Sequence, residues 1–107
     1  MRLFHFFRNT ADMNAGVAEY KTNDGAVLLD VRTEEEYREG HIEGSVNIPL
    51  NRISSVENIV KDKSTPLYVH CLSGGRSGQA VSYLKQIGYT NVKNIGGISS
   101  YRGKVVK

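Results

Sequence analysis

A chain of 107 residues has the length of one compact domain, and we expect residues 1–107 to form a single domain. Hydrophobic residues make up 39% and charged residues 23%, which excludes a disordered or fibrous protein, and no apolar run approaches the roughly 20 residues that cross a bilayer. The net charge of +3 is small and the basic residues are scattered, so neither nucleic acid nor a membrane is an expected partner.

The chain starts with an apolar stretch, residues 1–8, that contains all three phenylalanines. His5 and Arg8 interrupt this stretch and no small-residue cleavage site follows it, which argues against a secretory signal peptide. We expect residues 1–14 to be an N-terminal segment that packs its phenylalanines on the rest of the domain. We also expect a cytoplasmic protein.

Strand-like and helix-like segments alternate along the rest of the chain. Short apolar runs predict strands at residues 26–31, 46–48, 67–70 and 92–95. Capping residues and apolar spacing predict helices at about 12–21, 34–39, 53–60 and 76–87. The first of these helices is expected to begin at Thr10 or Asp12, and the second at Thr33. This alternation predicts an α/β fold, a small parallel sheet of four to five strands with helices on both faces.

The topology also predicts where a ligand binds. In parallel sheets, ligands bind outside the carboxyl ends of the strands, which points to the loops after Val31 and after His70. The second loop begins with Cys71, the only cysteine of the chain. One cysteine excludes an intramolecular disulfide and a cysteine-rich zinc site, and we expect neither a metal nor a cofactor.

The loop after this strand has the composition of an anion-binding turn before a helix. Its glycines allow backbone N–H groups to point inward, and the N-terminus of the following helix favours negative charge. We therefore expect Cys71 to be an anionic, exposed nucleophile, with substrate-binding or anion-binding positions at Leu72, Ser73, Gly74, Gly75, Arg76 and Ser77.

Several polar residues near this loop have two interpretations. Arg76 either contacts substrate or braces the loop by pairing with a carboxylate such as Asp30 or Glu36. Ser77 either offers its hydroxyl to the loop or caps the helix. A general base at His70 is disfavoured, because neighbouring side chains of a strand point to opposite faces. The supporting residues are expected to be Asp30, Arg32 and Glu36, the first two as an internal ion pair.

The chain resembles the rhodanese family, and the resemblance covers roughly residues 15 to 103. Its single-domain members carry Cys-Arg-Ser-Gly-Asn-Arg-Ser or a similar sequence at the position of residues 71–77. Residues 30–32, 36–37, 40–45 and 47–49 are similar to the first conserved stretch of that family, and residues 94–97 followed by Tyr101 are similar to its closing motif. Leu72 is a departure, because many members have Arg or Lys there, which would attract an anion more strongly.

The resemblance implies a sulfurtransferase. Cys71 would take sulfane sulfur from thiosulfate or a persulfide donor, form a persulfide, and pass the sulfur to cyanide, a thiol or a partner protein. The acceptor must come from outside, because the chain has no second cysteine. The expected partners are thus a small sulfur-containing anion or persulfide and an external thiol or protein.

Two rival functions stay open. A non-catalytic rhodanese-like binding module or persulfide carrier would keep the fold without turnover. A cysteine-based phosphatase or arsenate reductase is less favoured, because related phosphatases place Arg six positions after the cysteine, whereas Arg76 is five positions after Cys71.

Overall fold

The computed structural model describes residues 12–107. The first helix, α1, spans Met13–Lys21, and the carboxylate of Asp12 caps it by accepting hydrogen bonds from the amides of Asn14 and Ala15. Of the two expected caps, the structure uses Asp12. The prediction that the phenylalanines of the N-terminal segment pack on the domain lies outside the described residues.

Four strands form one parallel sheet. They are β1 (Val27–Asp30), β2 (Val46–Asn47), β3 (Leu67–Cys71) and β4 (Val92–Gly97), in the order β2-β1-β3-β4. The connecting helices are α2 (Glu34–Glu39), a 3-10 segment (Leu50–Ser55) that continues into α3 (Val56–Ile59), and α4 (Gly75–Gln86). A short 3-10 turn (Ile98–Ser100) follows β4. The prediction of a parallel α/β sheet of four to five strands is confirmed.

Helices cover both faces of this sheet, because alternate strand residues point to opposite sides. One core cluster includes Leu29, Val69 and Cys71 from the strands and Ala80 and Leu84 from α4. The cluster on the other face joins Leu28, Tyr68 and Ile95 of the sheet to Met13 and Val17 of α1. The alternation therefore places the Cys71 side chain on the same face of the sheet as α4.

Two details differ from the sequence predictions. Ile59, one of the apolar residues whose spacing predicted the helix at 53–60, is 55% exposed. Helix α3 ends there, and the extended backbone of Val60 turns that side chain inward instead. Strand β4 also runs two residues further than expected, because Gly96 and Gly97 continue the parallel pairing opposite His70 and Cys71.

The fold brings the two predicted loops to one edge. Asp30 at the end of β1 lies opposite His70 of β3, so the loops that follow these strands start side by side. Within residues 12–107, no helix is long and apolar enough to cross a membrane.

Candidate active site

The β3–α4 loop makes a tight turn around the side chain of its first residue. Cys71 is the last residue of β3, and Gly74 precedes α4 with φ +109°, a left-handed conformation that favours glycine. The other glycine of the loop, Gly75, does not use the angles that glycine allows. It has no positive φ, and among the described residues no atom lies within 4 Å of a Cβ built there.

A second glycine, on the neighbouring strand, lets the loop lie directly against the sheet. A Cβ added to Gly97 would come within 2.1 Å of the carbonyl oxygen of Leu72. This oxygen also accepts a hydrogen bond of 3.0 Å from the amide of Ser99. Glycine at position 97 therefore fixes how closely the loop approaches the end of β4.

The thiol of Cys71 is held by its own loop. The amide of Gly74 donates to Sγ over 3.0 Å, and the Ser77 hydroxyl lies 3.4 Å from Sγ. Burial raises the pKa of the Cys71 thiol, but hydrogen bonds from the Ser77 hydroxyl and from the amides of Ser77, Gly74 and Ser73 outweigh burial. The net pKa of the thiol is thus below the ordinary value, which favours the thiolate.

The expected exposure of this thiol is wrong. Cys71 is only 1% exposed, because it still belongs to β3 and its side chain points into the turn, within hydrogen-bonding distance of the Gly74 amide. The loop residues around it are open to solvent, Leu72, Ser73 and Gly75 among them. The sulfur is therefore buried, while neighbouring residues of its own loop are exposed.

Ser77 and Asn94 form a polar link between the loop and β4. The Ser77 hydroxyl lies 2.8 Å from Oδ1 of Asn94, and this same Oδ1 accepts from the amide of Gly96 over 3.0 Å. The Asn94 side-chain amide donates to the carbonyl of Gly74 over 3.2 Å. The sequence alone assigned no role to Asn94, although its position two residues before a pair of glycines was a usable signal.

The geometry supports the bracing role of Arg76. Its guanidinium makes two hydrogen bonds to Glu36, of 2.8 and 3.1 Å, which join α4 to α2. The Arg76 hydrogen bond, together with those from Thr33, lowers the pKa of Glu36 from 4.5 to about 2. Glu36 is thus a carboxylate at neutral pH, and it holds the charge of Arg76 in place.

The end of β1 carries a buried ion pair. Arg32 donates to Asp30 over 2.7 Å and to the carbonyl of Gly40 over 2.8 Å, and the Asp30 side chain is fully buried. Nε2 of His70 is 3.8 Å from Asp30 and has no hydrogen-bond partner among residues 12–107, while Nδ1 lies 3.2 Å from the carbonyl of Cys71. Burial lowers the pKa of His70, so this imidazole is neutral and structural.

A cleft of about 390 Å³ lies beside the loop. Seven residues line it: Arg32, Glu36, Glu39, Gly40, Leu72, Ile98 and Val105. A larger cleft of about 540 Å³, between the C-terminal end of α1 and the end of the chain, contains none of the predicted site residues. Of these two clefts, the chemistry points to the smaller one, since it borders the loop of Cys71 and the larger one does not.

Comparison with known proteins places the chain in a family. Residues 14–104 match the family described as "Rhodanese-like domain". Thiosulfate sulfurtransferase PspE of Escherichia coli (strain K12) is 39% identical over 80 residues, which cover 74% of this chain and 77% of that protein. The putative sulfur carrier protein YrkF of Bacillus subtilis (strain 168) is 37% identical over 78 residues, which cover 72% of this chain but 42% of that protein.

A solved structure agrees with these relatives. The structure titled "rhodanese with anions from E. coli" superposes with a TM-score of 0.72 and 37% sequence identity, over 77% of this chain and 98% of that chain. The resemblance found in the motifs is confirmed by the family match, by the similar sequences and by the superposed structure. The chain belongs to the rhodanese-like domain family.

Proposed function

We propose that this protein is a sulfurtransferase that carries sulfane sulfur on Cys71 between a thiosulfate or persulfide donor and an external thiol or cyanide. The observation that carries the proposal is the hydrogen bonding of Sγ, with an amide at 3.0 Å and a hydroxyl at 3.4 Å, which lowers the pKa of the thiol. The names of the relatives, a thiosulfate sulfurtransferase and a putative sulfur carrier, support this class of reaction.

The first half-reaction charges the cysteine. The Cys71 thiolate attacks the outer sulfur of the donor, so a bond forms between Sγ and that sulfur. The bond between the outer sulfur and the rest of the donor breaks, and the donor leaves with the electron pair, as sulfite from thiosulfate or as a thiolate from a persulfide. No external oxidant or reductant is required.

The second half-reaction removes the outer sulfur from the Cys71 persulfide. The acceptor attacks the outer sulfur of the persulfide, and Cys71 leaves as a thiolate with the electron pair. The same amides and hydroxyl that favour the free thiolate stabilise this leaving group, so one set of donors serves both half-reactions. Arg76, held by Glu36, keeps a positive charge beside the loop throughout.

The small exposure of Cys71 favours sulfur over phosphate. A terminal sulfur is a single unbranched atom, which suits a thiol that is 1% exposed within a tight turn. A phosphoryl group would need room around a tetrahedral centre in a loop where Arg76 comes five positions after the cysteine. Rapid hydrolysis of p-nitrophenyl phosphate without sulfur uptake would reverse this order of preference.

The test is intact mass spectrometry after incubation with thiosulfate or polysulfide. We expect the mass to increase by one sulfur atom, cyanide to remove that atom, and Cys71→Ser to show no gain while unfolding at a temperature close to that of the wild type. Absence of an adduct with every donor would contradict the proposal. An adduct that neither cyanide nor thiols discharge would favour the persulfide carrier. The single domain over residues 1–107 and the cytoplasmic location stay predictions.

A further inference from the structure

One part of the lining of the cleft beside the cysteine loop is apolar. Among the described residues, three large hydrophobic side chains are well exposed, Ile59 at 55%, Val105 at 47% and Leu72 at 43%. Two of these three, Leu72 and Val105, line the same cleft, together with the half-buried Ile98. Two exposed aliphatic side chains in one small cleft indicate a binding surface and not scattered surface residues.

The apolar wall is held in place by the end of the chain. His41 and Val106 exchange two backbone hydrogen bonds, of 2.9 and 2.8 Å, as an isolated antiparallel bridge. This bridge sets the neighbouring Val105 over Gly40, where a Cβ would be 3.7 Å from a methyl group of Val105. The wall is therefore part of the fold, not a loose tail.

The charges of the cleft do not suit a dianion. Arg32, which lines it, is 6% exposed and already bound to Asp30 and a carbonyl. Arg76 is committed to Glu36 by two hydrogen bonds. Glu39 is exposed and makes no ion pair with the described residues, so the uncommitted charge of the cleft is negative.

We propose that the cleft binds the apolar substituent of the sulfur donor. The preferred donor is then an organic persulfide with a small substituent that is uncharged or cationic, and not thiosulfate. This inference rests on the proposed function of Cys71. A volume of about 390 Å³ is within the range of small-molecule sites. Leu72, which lines the cleft, directly follows Cys71 in the chain, so the cleft borders the loop that holds the nucleophile.

Sulfur transfer from this donor takes the same steps as the first half-reaction described above. The Cys71 thiolate attacks the outer sulfur of R–S–SH, and the bond from that sulfur to R–S breaks. R–S leaves with the electron pair, and the proton of the outer sulfur passes to the leaving thiolate or to solvent. The leaving group departs as a thiolate or, once protonated, as a thiol, and its apolar substituent then leaves the cleft.

The experiment measures kcat/KM with cyanide as the acceptor and two donors, benzyl persulfide and thiosulfate. We expect the wild type to prefer benzyl persulfide by at least about tenfold. Val105→Ser and Leu72→Ser should each lower the benzyl persulfide to thiosulfate ratio about fivefold, the size expected from losing a half-exposed aliphatic contact. Leu72→Arg should lower the ratio further, because it adds an uncommitted cation.

Ile59→Ser is the matched control, because Ile59 is similarly exposed but does not line the cleft, and its ratio should equal that of the wild type. Equal use of the two donors by the wild type, or a ratio that Val105→Ser leaves unchanged, would overturn the inference while sulfur transfer itself stands. Failure of both donors to persulfidate Cys71 would instead refute the proposed function.

Discussion

The Glu36–Arg76 pair offers a sharp test of how the site is held together. In the wild type, Glu36 accepts a hydrogen bond of 2.9 Å from the Thr33 amide. Glu36→Gln removes the negative charge but keeps an oxygen that can accept this hydrogen bond. The substitution therefore preserves the capping box of α2 and isolates the ion pair. Glu35→Gln is the matched control, since Glu35 is also in the first turn of α2 and is exposed.

The expected loss of stability in Glu36→Gln follows from the lowered pKa of the Glu36 carboxyl. A shift from 4.5 to about 2 corresponds to roughly 3 kcal/mol if the carboxylate were fully shielded. The side chains of Arg76 and Glu36 are 33% and 30% exposed, so solvent screens the pair, and we expect Glu36→Gln to lower the free energy of unfolding at pH 7 by about 1–2 kcal/mol. Glu35→Gln should change it by less than about 0.5 kcal/mol.

The pH dependence of this stability difference can refute the role assigned to the ion pair. The carboxyl of Glu36 has a lower pKa in the folded state, so its stabilisation is fully present above the unfolded value of 4.5 and is lost as the pH falls through about 2. Urea unfolding of wild type and Glu36→Gln at several pH values should show a difference that shrinks between about pH 5 and about pH 2. A constant difference, or equal stability at pH 7, would show that the pair does not brace the site.

Three further predictions test other parts of the structure. Ser77→Ala should slow alkylation of Cys71 by iodoacetamide about tenfold at pH 7, because a hydrogen bond to a charged group is lost, and Ser77→Thr should restore most of the rate. Gly97→Ala should lower the free energy of unfolding in urea by more than about 2 kcal/mol, whereas Gly75→Ala should be nearly neutral. Asp30→Asn should cost about 3–5 kcal/mol in the same assay, because it leaves a buried arginine without its carboxylate.

Local patterns were enough to predict the architecture. The apolar run at residues 26–31 predicted a buried parallel strand, which the structure has at Val27–Asp30. Thr33 followed by Glu36 forms the capping box that begins α2. The Cys71 loop could be placed at a strand end before a helix for the same reason, because each of these signals depends on residues close together in the chain.

The features that the sequence did not predict depend mostly on contacts between segments that are distant in the chain. The need for glycine at position 97 arises from the carbonyl of Leu72, 25 positions earlier in the sequence, which no local pattern reveals. The link from Asn94 to Ser77 exists only because β4 lies beside β3. The low exposure of Cys71 likewise follows from how its loop curls, and the exposure of Ile59 follows from where α3 ends. The roles assigned to residues 71–77 stay predictions until the substitutions are made.

The most direct test of the central claim is the ionisation of the Cys71 thiol, followed by thiolate absorbance at 240 nm in the folded protein and in urea. Because Cys71 is the only cysteine, the thiolate signal comes from that residue alone, once the absorbance of Cys71→Ser is subtracted. We expect the folded protein to titrate at a lower pH than the unfolded chain, and Ser77→Ala to shift the midpoint upward. A folded midpoint at or above the unfolded one would contradict an activated nucleophile at this site.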